Sequence, residues 1–151
     1  MKKLFVILLP LMAFCACEKK EGALKCEVKQ QSFLSCEEVM MANDGNELTY
    51  GKDTLTYVLE DGSLQVNHHV YMNCGMKAGY CEVKMDGNDN IIVDEYFSGE
   101  EDANCICEAI MQFTLQGMDA SSYTMQINRY VKSVTTGNEY VWDRVDTFII
   151  Q

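Results

Sequence analysis

The sequence predicts an all-β fold, an antiparallel β-sandwich of about seven strands that follows an N-terminal export segment. Three observations predict it. From about residue 50 onward apolar residues recur at every second position, the period of a strand with one face in a core. These runs are separated by Gly, Asn and Asp clusters at hairpin spacing. The chain of 151 residues is 48% hydrophobic and holds one Pro, Pro10, so none interrupts the strands.

At the N-terminus Lys2 and Lys3 precede an apolar run from Leu4 to Phe14, and the triplet Cys15-Ala16-Cys17 follows. A basic start, a short apolar stretch and a small residue at the cut make a secretory signal. The run falls short of the roughly 20 residues that cross a bilayer. Ala16 before Cys17, with Glu18, Lys19, Lys20 and Glu21 after it, resembles a bacterial lipoprotein processing site, with Phe14 where an aliphatic residue is usual. The resemblance implies removal of residues 1–16 and acylation of Cys17. Residues 17–24 then form a flexible tether, and 25–151 a single sandwich domain. Removal takes away two lysines and no acid, so the net charge of −11 becomes −13. More than one acyl chain on Cys17 gives durable anchoring, because a single chain binds a membrane only marginally. The charged run after Cys17 also resembles the export tags of surface lipoproteins, so the expected location is the outer membrane or cell surface.

Residues 25–49 carry two readings: a strand around Leu24 to Gln30, and a short helix through Val39, Met40 and Met41 opened by a capping box of Ser35 and Glu38. The first hairpin runs Thr54 to Leu59, turns through Glu60-Asp61-Gly62-Ser63 and returns as Leu64 to Cys74; Asp-Gly suits the positive φ angles of a tight turn. Tyr80 to Met85 and Asn90 to Phe97 flank the turn Asp86-Gly87-Asn88-Asp89, with Glu82, Lys84 and Asp94 facing outward, and the acidic loop Ser98 to Asn104 follows. Cys105 to Leu115 alternates, with Cys105, Cys107, Ala109, Met111, Phe113 and Leu115 on the core side. Gly117 to Tyr123 enters a strand ending at Val131 and resembles the corner of immunoglobulin-like sandwiches, where a Tyr hydroxyl bonds back to the preceding loop. Thr136-Gly137-Asn138 turns into the last run, Glu139 to Ile150, which holds Trp142.

Beyond Cys15 and Cys17 there are six cysteines, and an even count in an exported chain reads as disulfides. Strand parity turns Cys74, Cys81, Cys105 and Cys107 inward. Cys105 and Cys107, two apart on one strand, have α-carbons about 6.6 Å apart, the strained limit of bridging. They are therefore expected to pair with Cys74 and Cys81, in either order, and Cys26 with Cys36. The same four residues offer an alternative, a soft-metal site for zinc or copper near His68, Met72 and Met76. An oxidising compartment and the lack of a Cys-x-x-Cys spacing favour disulfides.

Lys and Arg number 12 against 23 Asp and Glu, so phosphate backbones are repelled and nucleic acid is excluded as a partner. His68 faces the core with Val66 and Val70, and His69 faces outward. Neither stands in a nucleophile arrangement. No glycine-rich phosphate loop occurs, and the acidic runs Asp86 to Asp89 and Glu100-Glu101-Asp102 lack EF-hand ligand order. No cofactor, no resident metal and no catalytic activity are expected.

Asn73-Cys74-Gly75, Cys105-Ile106-Cys107 and the stretch from Gly117 through Tyr123 to Asn128 resemble a group of small lipoproteins of the Bacteroidota that has no assigned activity. The resemblance covers about half of the chain beyond the signal. It implies an immunoglobulin-like sandwich. Gly75 stands where a second Cys is frequent, and Asp119-Ala120-Ser121-Ser122 where Pro-Gly is often seen. The combined expectation is a lipid-anchored, disulfide-stabilised module of the cell envelope that binds a protein or glycan, using outward aromatics such as Tyr96, Tyr140 and Trp142, and is tied to the membrane by its N-terminal lipid.

Overall fold

Alternating polarity becomes eight strands and one helix in the computed structural model, which describes residues 26–42, 51–86, 89–99, 103–119 and 121–151. The signal segment, Cys17, the tether and the run Glu100-Glu101-Asp102 lie outside the described residues. In chain order the elements are β1 (Glu27–Leu34), α1 (Cys36–Ala42), β2 (Thr54–Glu60), β3 (Ser63–Asn73), β4 (Met76–Met85), β5 (Asn90–Gly99), β6 (Ile106–Gln116), β7 (Tyr123–Lys132) and β8 (Val141–Ile150). One sheet has the order β1-β6-β3-β2 and the other β4-β5-β7-β8.

This is an all-β sandwich. It has eight strands rather than about seven because both readings of the N-terminal stretch hold: β1 ends at Leu34, and the helix starts directly behind it. The capping box forms, with the Ser35 amide and hydroxyl donating to Glu38 Oε2 at 2.7 and 2.8 Å. The backbone hydrogen bond from Ser35, then that from its hydroxyl, holds the Glu38 carboxyl below its ordinary range. One pairing departs from the expected antiparallel pattern. β5 runs parallel to β7, since β6 lies between them in the chain and crosses to the opposite sheet.

The core is one cluster drawn from both inner faces. It includes Leu64, Val66 and Val70 of β3, Ile91, Val93 and Phe97 of β5, Met111 and Phe113 of β6, and Tyr123, Met125 and Ile127 of β7. Tyr123 is fully enclosed at the start of its strand, opposite Ile150. At the β2–β3 hairpin Asp61 and Gly62 adopt φ of 48° and 73°, the two successive positive angles that match strand twist. The Gly62 carbonyl then accepts the amides of Gly117 and Met118, each at 3.1 Å, which fastens the entry to β7 onto that hairpin.

The disulfides are Cys36–Cys107 and Cys74–Cys105, and Cys26 and Cys81 are free thiols. The expected Cys26–Cys36 bond is corrected: the eight extended residues of β1 lie between the two and hold them about 26 Å apart. Cys81 does not pair either. It projects from the opposite sheet, while α1 packs over β6 and delivers Cys36 to Cys107. Cys74–Cys105 is one of the two orders that parity left open, but Cys105 is exposed and precedes β6 instead of facing the core.

Asn73 sets up the Cys74–Cys105 bond. Its amide donates to the Ala103 carbonyl at 2.6 Å, and its Oδ1 accepts the amides of Gly75 and Ala103 at 2.8 and 3.0 Å. The side chain thereby continues strand pairing past the end of β3, and the Cys74 amide donates to the Cys105 carbonyl at 3.2 Å.

Intact mass after alkylation in denaturant without reductant is expected to show two blocked thiols and four oxidised cysteines among residues 26–151. With sequence separations of 71 and 31, Cys36→Ser and Cys74→Ser should each destabilise the domain by about 4 kcal/mol in chemical unfolding. Cys26→Ser should stay within about 0.5 kcal/mol of the wild type.

Candidate binding face and interior polar cluster

The two outer faces of the sandwich differ in chemistry, and the difference is clearest along one rung of each sheet. On the first sheet the register aligns Ser32, Gln112, Asn67 and Thr56. Ser32 Oγ donates to Gln112 at 3.1 Å, Gln112 to Asn67 at 2.9 Å and Asn67 to Thr56 at 3.5 Å, a polar ladder suited to water. On the second sheet the register aligns Tyr80, Tyr96, Tyr130 and Trp142. Tyr80 stacks on Tyr96 with ring centroids 4.8 Å apart, and Tyr96 on Tyr130 at 5.0 Å. Tyr140 closes edge-on against Tyr96 at 5.3 Å, with Lys132 Nζ 5.7 Å from its ring centroid.

The expected surface aromatics Tyr96, Tyr140 and Trp142 therefore belong to one patch, and Tyr80 and Tyr130 join it. Rings stacked side by side on a sheet present edges and hydroxyls outward, giving a contact surface both apolar and able to hydrogen-bond. Burial among neighbouring rings, followed by the charge of Asp94, raises the Tyr96 phenol, so it stays neutral at physiological pH.

A charged row borders the rings. Lys84 Nζ and Asn128 Nδ2 donate to Asp94 at 2.8 and 2.7 Å. Burial alone would raise the Asp94 carboxyl, but these bonds and the Lys84 charge outweigh it and hold the group below its usual range. On the other side an open groove of about 750 Å³ runs past Ala78, Ser98 and Lys132 to the backbone around Cys74. β8 is an edge strand with further exposed apolar residues on this face: Trp142 is 58% exposed, and Val145 and Ile149 are exposed further along the strand.

The soft-metal alternative is corrected: the sulfurs of Cys74 and Cys107 gather with Cys36 within 4.8 Å, but as oxidised disulfide partners, and Cys81 stands apart on the opposite sheet. Cys74 is bonded to Cys105 and Cys107 to Cys36, while Met72 and Met76 are buried core residues. Cys81 sits opposite Glu95, and burial, helped by that carboxylate, pushes its thiol up to about 12. His69 faces outward and bonds to Glu108 at 2.6 Å. His68 faces the core as expected. Its Nδ1 lies 3.0 Å from both carboxylate oxygens of Glu95, with the two side chains 1% and 0% exposed.

The interior also holds an ion cluster that sequence reasoning missed. Arg129, buried on the inner face of β7, donates to Asp53 at 2.8 Å and to Asp143 at 2.6 Å. Asp53 accepts the Tyr71 amide as well, at 2.9 Å, and Arg144 approaches it at 3.3 Å. The signal was parity. Glu95 shares a strand face with Ile91, Val93 and Phe97, and Arg129 with Tyr123, Met125 and Ile127, so each is a charge at an apolar position.

In native protein at pH 8, Cys81 should resist thiol-specific reagents, because a thiol at about 12 is thiolate in roughly one molecule in 10⁴. Full modification is expected only on unfolding; rapid native labelling of Cys81 would contradict this environment. Compared with protein-family models, curated proteins and solved structures, the chain matches none.

Proposed function

We propose that this is a non-catalytic binding module of the cell envelope, lipid-anchored at the outer membrane or cell surface through Cys17, which presents the outer face of its second sheet to a protein partner. The observation that carries the reading is the aromatic rung Tyr80-Tyr96-Tyr130-Trp142 and its continuation into the exposed apolar residues of β8. An exposed aromatic rung bordered by polar and charged residues is the kind of patch that marks an interaction site. Aromatic residues clustered at the centre of a patch are the usual anchors of protein interfaces. Val145 and Ile149 favour a protein over a glycan, since aliphatic side chains add little to recognition of sugar hydroxyls. The export segment and its resemblance to lipoprotein signals support the location.

The test replaces Trp142, and in a control Asn67 on the polar ladder, with a photoreactive phenylalanine in cells. A discrete protein adduct from position 142 and none from 67 is the expected result, and Tyr96→Ala should weaken the isolated interaction at least tenfold. Equal adducts from both positions, or none, would remove the binding face. Metabolic palmitate should label the wild type and not Cys17→Ala; an unlabelled wild type would remove the anchor. Retardation of the wild type, but not of Trp142→Ala, in gels containing soluble glycan would replace the protein partner with a saccharide.

A further inference from the structure

We propose that Asp53, His68 and Asp146 form a binding site for a divalent first-row transition cation, enclosed where the edge strands β2 and β8 approach each other. One ligand atom from each residue, a ring nitrogen and two carboxylate oxygens, lies within 4.8 Å of the others. Donors sharing a tetrahedral ion at about 2.1 Å stand about 3.4 Å apart. Each separation exceeds that spacing by at most about 1.4 Å, and Asp146 is only partly buried on an edge strand, where its side chain can shift.

Two independent observations point to a cation. The first is an orphaned atom: His68 Nε2 is buried with no hydrogen-bond partner, while Nδ1 is committed to Glu95. A buried imidazole nitrogen left without a partner costs free energy, and Nε2 is the nitrogen that remains for the cluster. Glu95 accepting from Nδ1–H directs the Nε2 lone pair away from itself. That carboxylate–histidine arrangement orients metal-bound imidazoles and strengthens them as ligands.

The second observation is charge. The pocket gathers the carboxylates of Asp53, Glu95, Asp143 and Asp146 against the guanidiniums of Arg129 and Arg144, an excess of two negative charges. A divalent cation balances it. Asp146 has no side-chain partner among the described residues, and Asp53, whose Oδ2 is taken by Arg129 and Arg144, keeps a lone pair on Oδ1 beside the bond from the Tyr71 amide. One imidazole and two carboxylates suit zinc, iron or manganese better than the thiophilic Cu(I). The donor set shares no residue with the four cysteines considered for a soft metal.

The experiment uses the purified protein, disulfides intact, stripped with chelator and titrated with Zn²⁺ by calorimetry, then with Co²⁺ followed optically. One ion per chain is expected, with a rise in melting temperature and a visible cobalt spectrum that lacks the near-ultraviolet thiolate band. Asp146→Asn should weaken Zn²⁺ binding more than about 100-fold, and Glu95→Gln by about 10- to 100-fold, the range typical of outer partners. Glu82→Gln, on the exposed outer face of β4 and outside the pocket, should stay within a few-fold of the wild type. The far-ultraviolet spectrum of Asp146→Asn must match the wild type, and His68→Asn provides a second loss-of-ligand variant. No stoichiometric ion in the wild type, unchanged affinity in both ligand variants, or a thiolate band with cobalt would overturn the proposal, leaving water as the occupant beside Nε2.

Discussion

Arg129 carries a permanent positive charge into the space between the two sheets, and much of the molecule is arranged around that fact. Burying a guanidinium costs several kcal/mol unless opposite charge and hydrogen-bond acceptors meet it there. Asp53 from the start of β2, the Tyr71 carbonyl of β3 and Asp143 of β8 all meet it. These partners come from both sheets, so the ion cluster fixes how one sheet sits over the other, which a purely apolar interface specifies less sharply. The requirement also explains an inner face of β8 that bears Arg144 and Asp146 before it turns apolar at Phe148 and Ile150.

The inside of the sandwich is polar at one end, and the outside is apolar on one face. In an ordinary monomer these roles run the other way. The polar ladder of the first sheet shows that this chain can make a wettable face on the same architecture. The aromatic ladder of the second sheet is therefore a property of that face and not a by-product of strand composition. β8 belongs to both features, since Trp142 completes the outer rung while Asp143, Arg144 and Asp146 serve the interior.

Most of the strands were legible because period-2 alternation and turn chemistry are local. The Asp61-Gly62 hairpin, the β4–β5 pair and the alternation of β6 follow from neighbours in sequence. Less was legible wherever a distant partner decided the outcome. The parallel pairing of β5 with β7 depends on β6 leaving for the other sheet. The cysteine pairing depends on where α1 lands, and strand parity contains no information about that. Cys105 was misplaced because its alternation continues that of β6 although the strand starts one residue later, at Ile106. Of the candidate site, Tyr96, Tyr140 and Trp142 were recognisable as outward aromatics. Their convergence with Tyr80 and Tyr130 was not, because lateral neighbours in a sheet are set by register and not by spacing along the chain. Glu95 and Arg129 escaped notice although parity turns them inward, because each directly follows a polar residue, Asp94 or Asn128, and the pair reads as a solvated stretch.

The pairing of β1 governs the order in which the domain can assemble. Hairpins β2–β3 and β4–β5 involve neighbouring residues and close soon after they are synthesised, whereas among the described residues β1 pairs only with β6, about 80 residues further along. Until β6 arrives, β1 remains an unpaired edge and Cys36 an unbonded thiol, with Cys26, Cys74 and Cys81 all emerging before Cys107. Every earlier encounter of Cys36 is with a wrong partner, so the native bond is made last or by exchange. If the chain enters an oxidising compartment N-terminus first, its eighth tenth must be delivered before its first quarter can be secured, and thiol–disulfide exchange becomes part of its maturation.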